Sequence, residues 1–179
     1  MTVDRSAVGR MSKSKGNRAE LKIAKAIAEC IGVPYEECRR TPASGALIER
    51  ADLRLSPRAR RLFPFFIEVK HREGWDVTQV FNGLATWKPH QWFIEAVDKE
   101  KKERHSSFHE TESPVMLVLL RNRRKTLVMV DAATDVMHLT ESTVAIGVAY
   151  VLYEMDAYLA AYKERLRKLE EFSNLSTPW

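Results

Sequence analysis

The sequence predicts a mixed α/β domain in which helices flank a central sheet. Three observations carry this. Apolar residues recur at helical spacing over residues 23–31, and residues 156–172 form an amphipathic, charged helical stretch. Between them lie short apolar runs at 65–70, 114–120 and 126–130, the length of strands rather than helices. The order helix, strands, helix, strands is that of one layered α/β unit. The 179 residues suffice for a domain with its own core, and no internal repeat or long linker divides them.

Residues 1–15 are polar and basic and read as a mobile arm. A helix is expected from Asn17, a good N-cap, with Glu20 three residues on to complete a capping box. Ile23, Ala24, Ile27, Ala28 and Ile31 give it an apolar face, and Gly32-Val33-Pro34 ends it. Residues 35–41 form a first short strand, and Thr41-Pro42-Ala43-Ser44-Gly45 a loop. Residues 52–55 are a strand, 56–61 its turn, and 63–70 the next strand, with Gly74 breaking the chain. Helices are expected over 77–87 and 90–104, interrupted at Pro89, then a polar loop over 105–113. The basic turn 121–125 joins the strands 114–120 and 126–130. Val144, Ile146 and Val148 alternate, so residues 144–153 read as one more strand. The chain divides into an arm (1–15), a core (16–131) and an extension (132–179) of strand and helix, packed on the core or on a dimer interface.

The net charge is +5 and the pI about 9.3, but the excess is clustered. Residues 1–18 hold five basic groups against one acid, and residues 39–61 hold seven arginines against Glu49 and Asp52. Arg121, Arg123, Arg124 and Lys125 form a third cluster. One such cluster is an ordinary solvated face; three in a basic chain point to nucleic acid, since the guanidinium fork suits phosphate. Cys30 and Cys38 are the only cysteines, which suggests reduced thiols and a cytoplasmic protein. No apolar run reaches the ~18 residues of a membrane span, and nothing points to a small-molecule cofactor.

The most informative stretch is Phe65-Phe66-Ile67-Glu68-Val69-Lys70. In a strand, Phe65, Ile67 and Val69 face one side, and Phe66, Glu68 and Lys70 the other. Two charged groups in an apolar run are unfavourable unless paired or bound to something. Asp52 lies on the preceding strand, and an antiparallel turn would bring it beside Glu68. Two converging carboxylates make a hard-oxygen site for Mg²⁺ or Mn²⁺, with the backbone carbonyl of Val69 as a further ligand. Lys70 would orient the attacking water and offset charge on the phosphorus oxygens. By spacing alone, a structural Asp/Glu/Lys ion-pair cluster is an equal alternative. Glu20 likewise has two readings, a helix cap and a group pointing toward the sheet.

Lys15-Gly16-Asn17-Arg18-Ala19-Glu20, Arg39-Arg40-Thr41-Pro42-Ala43-Ser44-Gly45, Asp52 and Ile67-Glu68-Val69-Lys70, in this order, resemble the PD-(D/E)xK nuclease superfamily. More narrowly they resemble archaeal-type Holliday junction resolvases and their phage-borne relatives. Trp92-Phe93-Ile94-Glu95-Ala96-Val97-Asp98 is similar to a helix of the phage members. The resemblance covers residues 13–131. It implies a restriction-endonuclease-like core (αβββαβ) and Mg²⁺-dependent cleavage of four-way DNA junctions, with Mn²⁺ as a substitute. It also implies a homodimer, because two symmetry-related strands are cut, working in the host cytoplasm if phage-encoded. The catalytic roles would fall on Glu20, Asp52, Glu68 and Lys70, with metal on Asp52, Glu68 and Val69. Lys13, Lys15, Arg18, Arg39, Arg40, Ser44, Gly45, Arg121, Arg123 and Arg124 would contact DNA. Asp52 follows Ala51 where a proline is common, and the span to Glu68 is longer than in compact members, which leaves Glu49 as an alternative carboxylate. Other nucleases on this scaffold act on duplex or flapped DNA, and a binding module with a dead site is the non-enzyme alternative.

Among Trp75, Phe81, Trp87, Trp92 and Phe93, core packing is the general expectation. Trp75, in a loop just after the Glu-x-Lys strand, is the candidate for contact with an unpaired base. Gln79 and Gln91 are weaker candidates for the site. His105 and His109 have a zinc-like spacing without further ligands, and His71 adjoins Lys70.

Overall fold

The computed structural model describes residues 5–42, 50–107, 112–132, 143–146 and 150–175. The elements are α1 (Arg5–Cys30), β1 (Cys38–Arg40), β2 (Leu53–Leu55), α2 (Pro57–Leu62), β3 (Phe66–His71), α3 (Lys88–Ser107), β4 (Val115–Leu120), β5 (Leu127–Asp131), β6 (Thr143–Ile146), β7 (Tyr150–Glu154) and α4 (Met155–Leu175). β3, β4, β5, β7 and β6 form a five-stranded mixed sheet in that order, and β1 and β2 a separate antiparallel pair. This is the restriction-endonuclease-like α/β fold that the sequence implied.

β3 and β4 are parallel, with Glu68 opposite Leu117. A parallel pair needs a crossover, and α3 supplies it. β4 is buried along its whole length, as expected of a strand covered on both faces. On one face Ile67, Val69, Met116, Val118, Val128 and Val130 pack with Ile23 and Ile27 of α1 and Tyr158 of α4. On the other, Phe66, Leu117, Leu119 and Met129 pack with Phe93 and Ala96 of α3 and with Trp75 and Trp87. Each fully buried large side chain of this kind contributes about 1.5–3 kcal/mol. Because Phe66 lies under α3, the alternation puts Glu68 on that same face. Burial pushes both cysteine thiols up to about 11, which leaves them inert. No helix among the described residues is long and apolar enough to cross a membrane.

Several boundaries differ from the sequence reading. α1 starts at Arg5, so much of the arm assigned to residues 1–15 is helical. Ala7, Arg10, Met11, Lys13 and Lys15 are good helix formers and no proline intervenes. Asn17 therefore sits inside the helix and caps nothing. Residues 57–62 are a helix, not a turn: the Ser56 hydroxyl accepts the Ala59 N–H at 3.1 Å and Pro57 takes the first position. Pro89 likewise lies in the first turn of α3, where a missing N–H does no harm. Residues 77–86 form two short 3₁₀ turns split by Gly83, whose φ of +119° favours glycine. The single strand expected over 144–153 is two antiparallel strands, with Val144 opposite Leu152. β7 inserts between β5 and β6, so the extension completes the sheet.

Candidate active site

β3 is an edge strand of the large sheet, and the segment ahead of β2 covers it. The N–H of Asp52 donates to the Ile67 carbonyl at 3.1 Å. Its Oδ2 accepts the Val69 N–H at 2.8 Å. Asp52 thus grips β3 on both sides of Glu68. The expected antiparallel β2–β3 ladder is absent among the described residues; β2 pairs with β1, and these two bonds carry the contact instead. Glu103 of α3 holds the approach. Its Oε2 accepts the N–H of Arg50 and, at 3.0 Å, that of Ala51. Glu103→Ala leaves the buried Ala51 N–H and the part-buried Arg50 N–H without their acceptor and is expected to destabilise by about 1–3 kcal/mol, seen as a lower urea midpoint with unchanged slope.

Glu68 is 1% exposed. Its Oε1 accepts from the Nζ of Lys70 at 2.7 Å and from that of Lys99 at 2.5 Å. Its Oε2 is buried and has no hydrogen-bond partner among the described residues. Burial, then the charge of Glu68, raises the Asp52 carboxyl from 3.8 to about 6; the Val69 N–H opposes this, Glu20 adds to it and Lys99 opposes it. Glu20 accepts from the Nε of Arg40 at 2.6 Å instead of capping α1. Glu20, Asp52, Glu68, Val69 and Lys70 all line one cleft of about 470 Å³, with Lys99 and His71. The four expected catalytic positions are thus brought together.

Among the described residues no three His, Cys, Asp or Glu side chains gather as a ready-made metal cage. Glu20 is turned to Arg40, which leaves the Asp52–Glu68 pair. That pair nonetheless fits a divalent cation. It offers hard oxygen donors, one of them buried without a partner, and the two carboxylates repel until a cation lies between them. Val69 lines the same cleft.

The basic residues collect beside this site. Lys15, Arg18, Arg121, Arg123 and Arg124, together with Lys22, line a second cleft of about 550 Å³. His71 belongs to both clefts, and burial, then Lys15, lowers its pKa. Arg39 is exposed on β1, whereas Arg40 is engaged by Glu20. Lys15 also pairs with Glu73 at 3.3 Å. Ser44, Gly45, Glu49, His109 and the side chain of Lys13 lie outside the described residues.

Trp75 corrects the sequence reading. It is 3% exposed, in the α3-side core, with its indole N–H donating to the Arg72 carbonyl at 3.0 Å. Arg121 stacks on its ring at 4.8 Å and bonds Asp76 at 3.0 Å, which ties that arginine to the protein itself. The indole has area to bury and one donor to satisfy, and the fold provides both. Trp87 and Phe93 are also core, while Phe81 is 88% exposed. Gln79 closes a capping box with Asp76, and Gln91 bonds the Ala85 carbonyl; neither lines the cleft.

Lys99, which lines the cleft, and Glu103, which holds the segment carrying Asp52, are the site-building positions that the sequence reading missed. A signal existed: continuing the stripe Trp92, Phe93, Ala96 by helical steps reaches 99, 100 and 103, the inward face. The run 98–104 is wholly charged, and so resembled a solvated surface.

A family model described as "Phage putative PDDEXK endonuclease" matches residues 11–179. The match takes in the last 48 residues, beyond the range of the motif resemblance. No curated protein and no solved structure matches the chain.

Proposed function

The chain belongs to this family of phage PDDEXK endonucleases, and we propose that it is a Mg²⁺-dependent, structure-selective DNA endonuclease that resolves four-way junctions. The nuclease chemistry draws its support from one observation above all. Glu68 is buried and doubly paired on one oxygen while the other faces no donor. A purely structural ion-pair cluster would be expected to satisfy both oxygens. PD-(D/E)xK nucleases use divalent metal ions, and the residues here suit one.

In this reading Asp52 and Glu68 hold the ion, with the Val69 carbonyl completing the protein's share. A bound divalent cation polarises a phosphodiester and acidifies a water. Lys70, anchored on Glu68, orients that water and offsets the charge on the non-bridging oxygens. Water adds to phosphorus, the bond to one ester oxygen breaks, and that oxygen leaves with a proton. Glu20, which lines the cleft, holds Arg40 behind it, within reach of the flanking backbone. The basic cleft beyond His71 grips the flanking backbone without reading bases. Paired cuts at a junction require two such sites, hence a C2 homodimer.

The test is cleavage of a labelled, immobile four-way junction against matched duplex and flap in Mg²⁺. Paired, symmetrical nicks on the junction support the proposal. Cutting of duplex or flap alone keeps the nuclease site and discards the junction.

A further inference from the structure

We propose that Lys99 is a mobile cation that leaves Glu68 for a substrate phosphate when a divalent ion binds. The proposal rests on the nuclease reading above and goes beyond it, because the Glu-x-Lys motif accounts for Lys70 and assigns nothing to α3.

The observation is a crowded oxygen. Lys70 and Lys99 both donate to Oε1 of Glu68, at 2.7 and 2.5 Å, while Oε2 takes neither. Two ammonium groups on one oxygen repel each other. A dication drawn to Oε2 and Asp52 brings a third positive group within a few ångströms. In a partly buried cleft such repulsion is much less screened than in water. One ammonium is then better placed elsewhere.

The two lysines are not equivalent. Lys70 sits two residues from Glu68 on the same strand, its side chain 20% exposed. Lys99 reaches over from α3 on a flexible stem, and its side chain is 36% exposed. It also lines the cleft. Released from Glu68, it stays over the space that a strand must enter, where a phosphate is the anion on offer. Of the other cations nearby, Arg40 is paired with Glu20 and Lys15 with Glu73, and Arg72 lines the cleft without contacting Glu68.

Metal and DNA binding are then linked through Lys99, and linkage is reciprocal. The experiment measures the dissociation constant of a fluorescent four-way junction in EDTA and in Ca²⁺, with intact DNA verified on gels. In Lys99→Met, affinity in Ca²⁺ is expected to fall about fivefold or more, at the low end of ordinary couplings, while affinity in EDTA stays within about twofold. Mn²⁺ binding without DNA, followed through the paramagnetic resonance of the free ion, should tighten in the same variant. Lys99→Arg, which keeps the charge, should recover part of the Ca²⁺-linked affinity; a folding defect would instead weaken binding in both buffers and not be rescued. Equal losses with and without Ca²⁺, no loss in Ca²⁺, or unchanged Mn²⁺ affinity would overturn the proposal. Wild-type cleavage of the same junction in Mg²⁺ reports separately on the nuclease reading.

Discussion

Asp52→Asn should melt higher than wild type at pH 7 in EDTA, and should cut nothing. Asp52 is 8% exposed, and its carboxyl is raised from 3.8 to about 6 by burial and by Glu68. A raised acid destabilises the fold once it ionises. Between about pH 4 and 6 the folded state holds the proton that the unfolded state has lost, so stability falls as pH rises through that window. The penalty well above pH 6 is about 3 kcal/mol. An asparagine of the same shape still accepts the Val69 N–H and carries no charge. The gain should therefore be full at pH 7, shrink through pH 5, and vanish below pH 4. At about 2–4 °C per kcal/mol, the rise in Tm is about 6–12 °C. Mg²⁺ should raise the wild-type Tm and leave the variant's unchanged. A variant no more stable than wild type, or a difference that persists at pH 4, would remove the electrostatic basis of the account.

Glu68→Gln should be just as inactive, but without the stabilisation. Glu68 differs from Asp52 because two ammonium groups already compensate its charge. Removing that charge strands Lys70 and Lys99, which are exposed enough to turn to water. The stability change should thus be small or unfavourable, in contrast to Asp52→Asn. Cleavage should fall about 10³-fold or more, since the metal loses an anionic ligand and Lys70 loses its anchor. The Mg²⁺-induced rise in Tm should disappear with it. Two neighbouring carboxylates then give one outcome in activity and different outcomes in stability.

The strand that carries Glu68 was legible because the alternation of Phe66, Glu68 and Lys70 against Ile67 and Val69 fixes faces as well as secondary structure. Asp52, Glu68 and Lys70 followed from it, and Glu20 from its place on the α1 stripe. What the sequence hid was tertiary. Asp52 reaches β3 through one N–H and one carboxylate oxygen, not through the ladder that adjacency suggested. Lys99 comes from a helix in the crossover, and its charged neighbours masked the inward face. Trp75 read as a loop residue because nothing local shows that α3 and the sheet close over it. The start of α1 was misplaced because Asn17 and Glu20 form a good cap on paper, while the helix-forming residues before them extend the helix past it.

The most direct test of the metal-dependent cleft is cleavage of end-labelled DNA by wild type and Glu68→Gln, side by side, in Mg²⁺ and in EDTA. Wild type is expected to cut in Mg²⁺ alone. Cutting in EDTA, or equal cutting by Glu68→Gln in Mg²⁺, would contradict it.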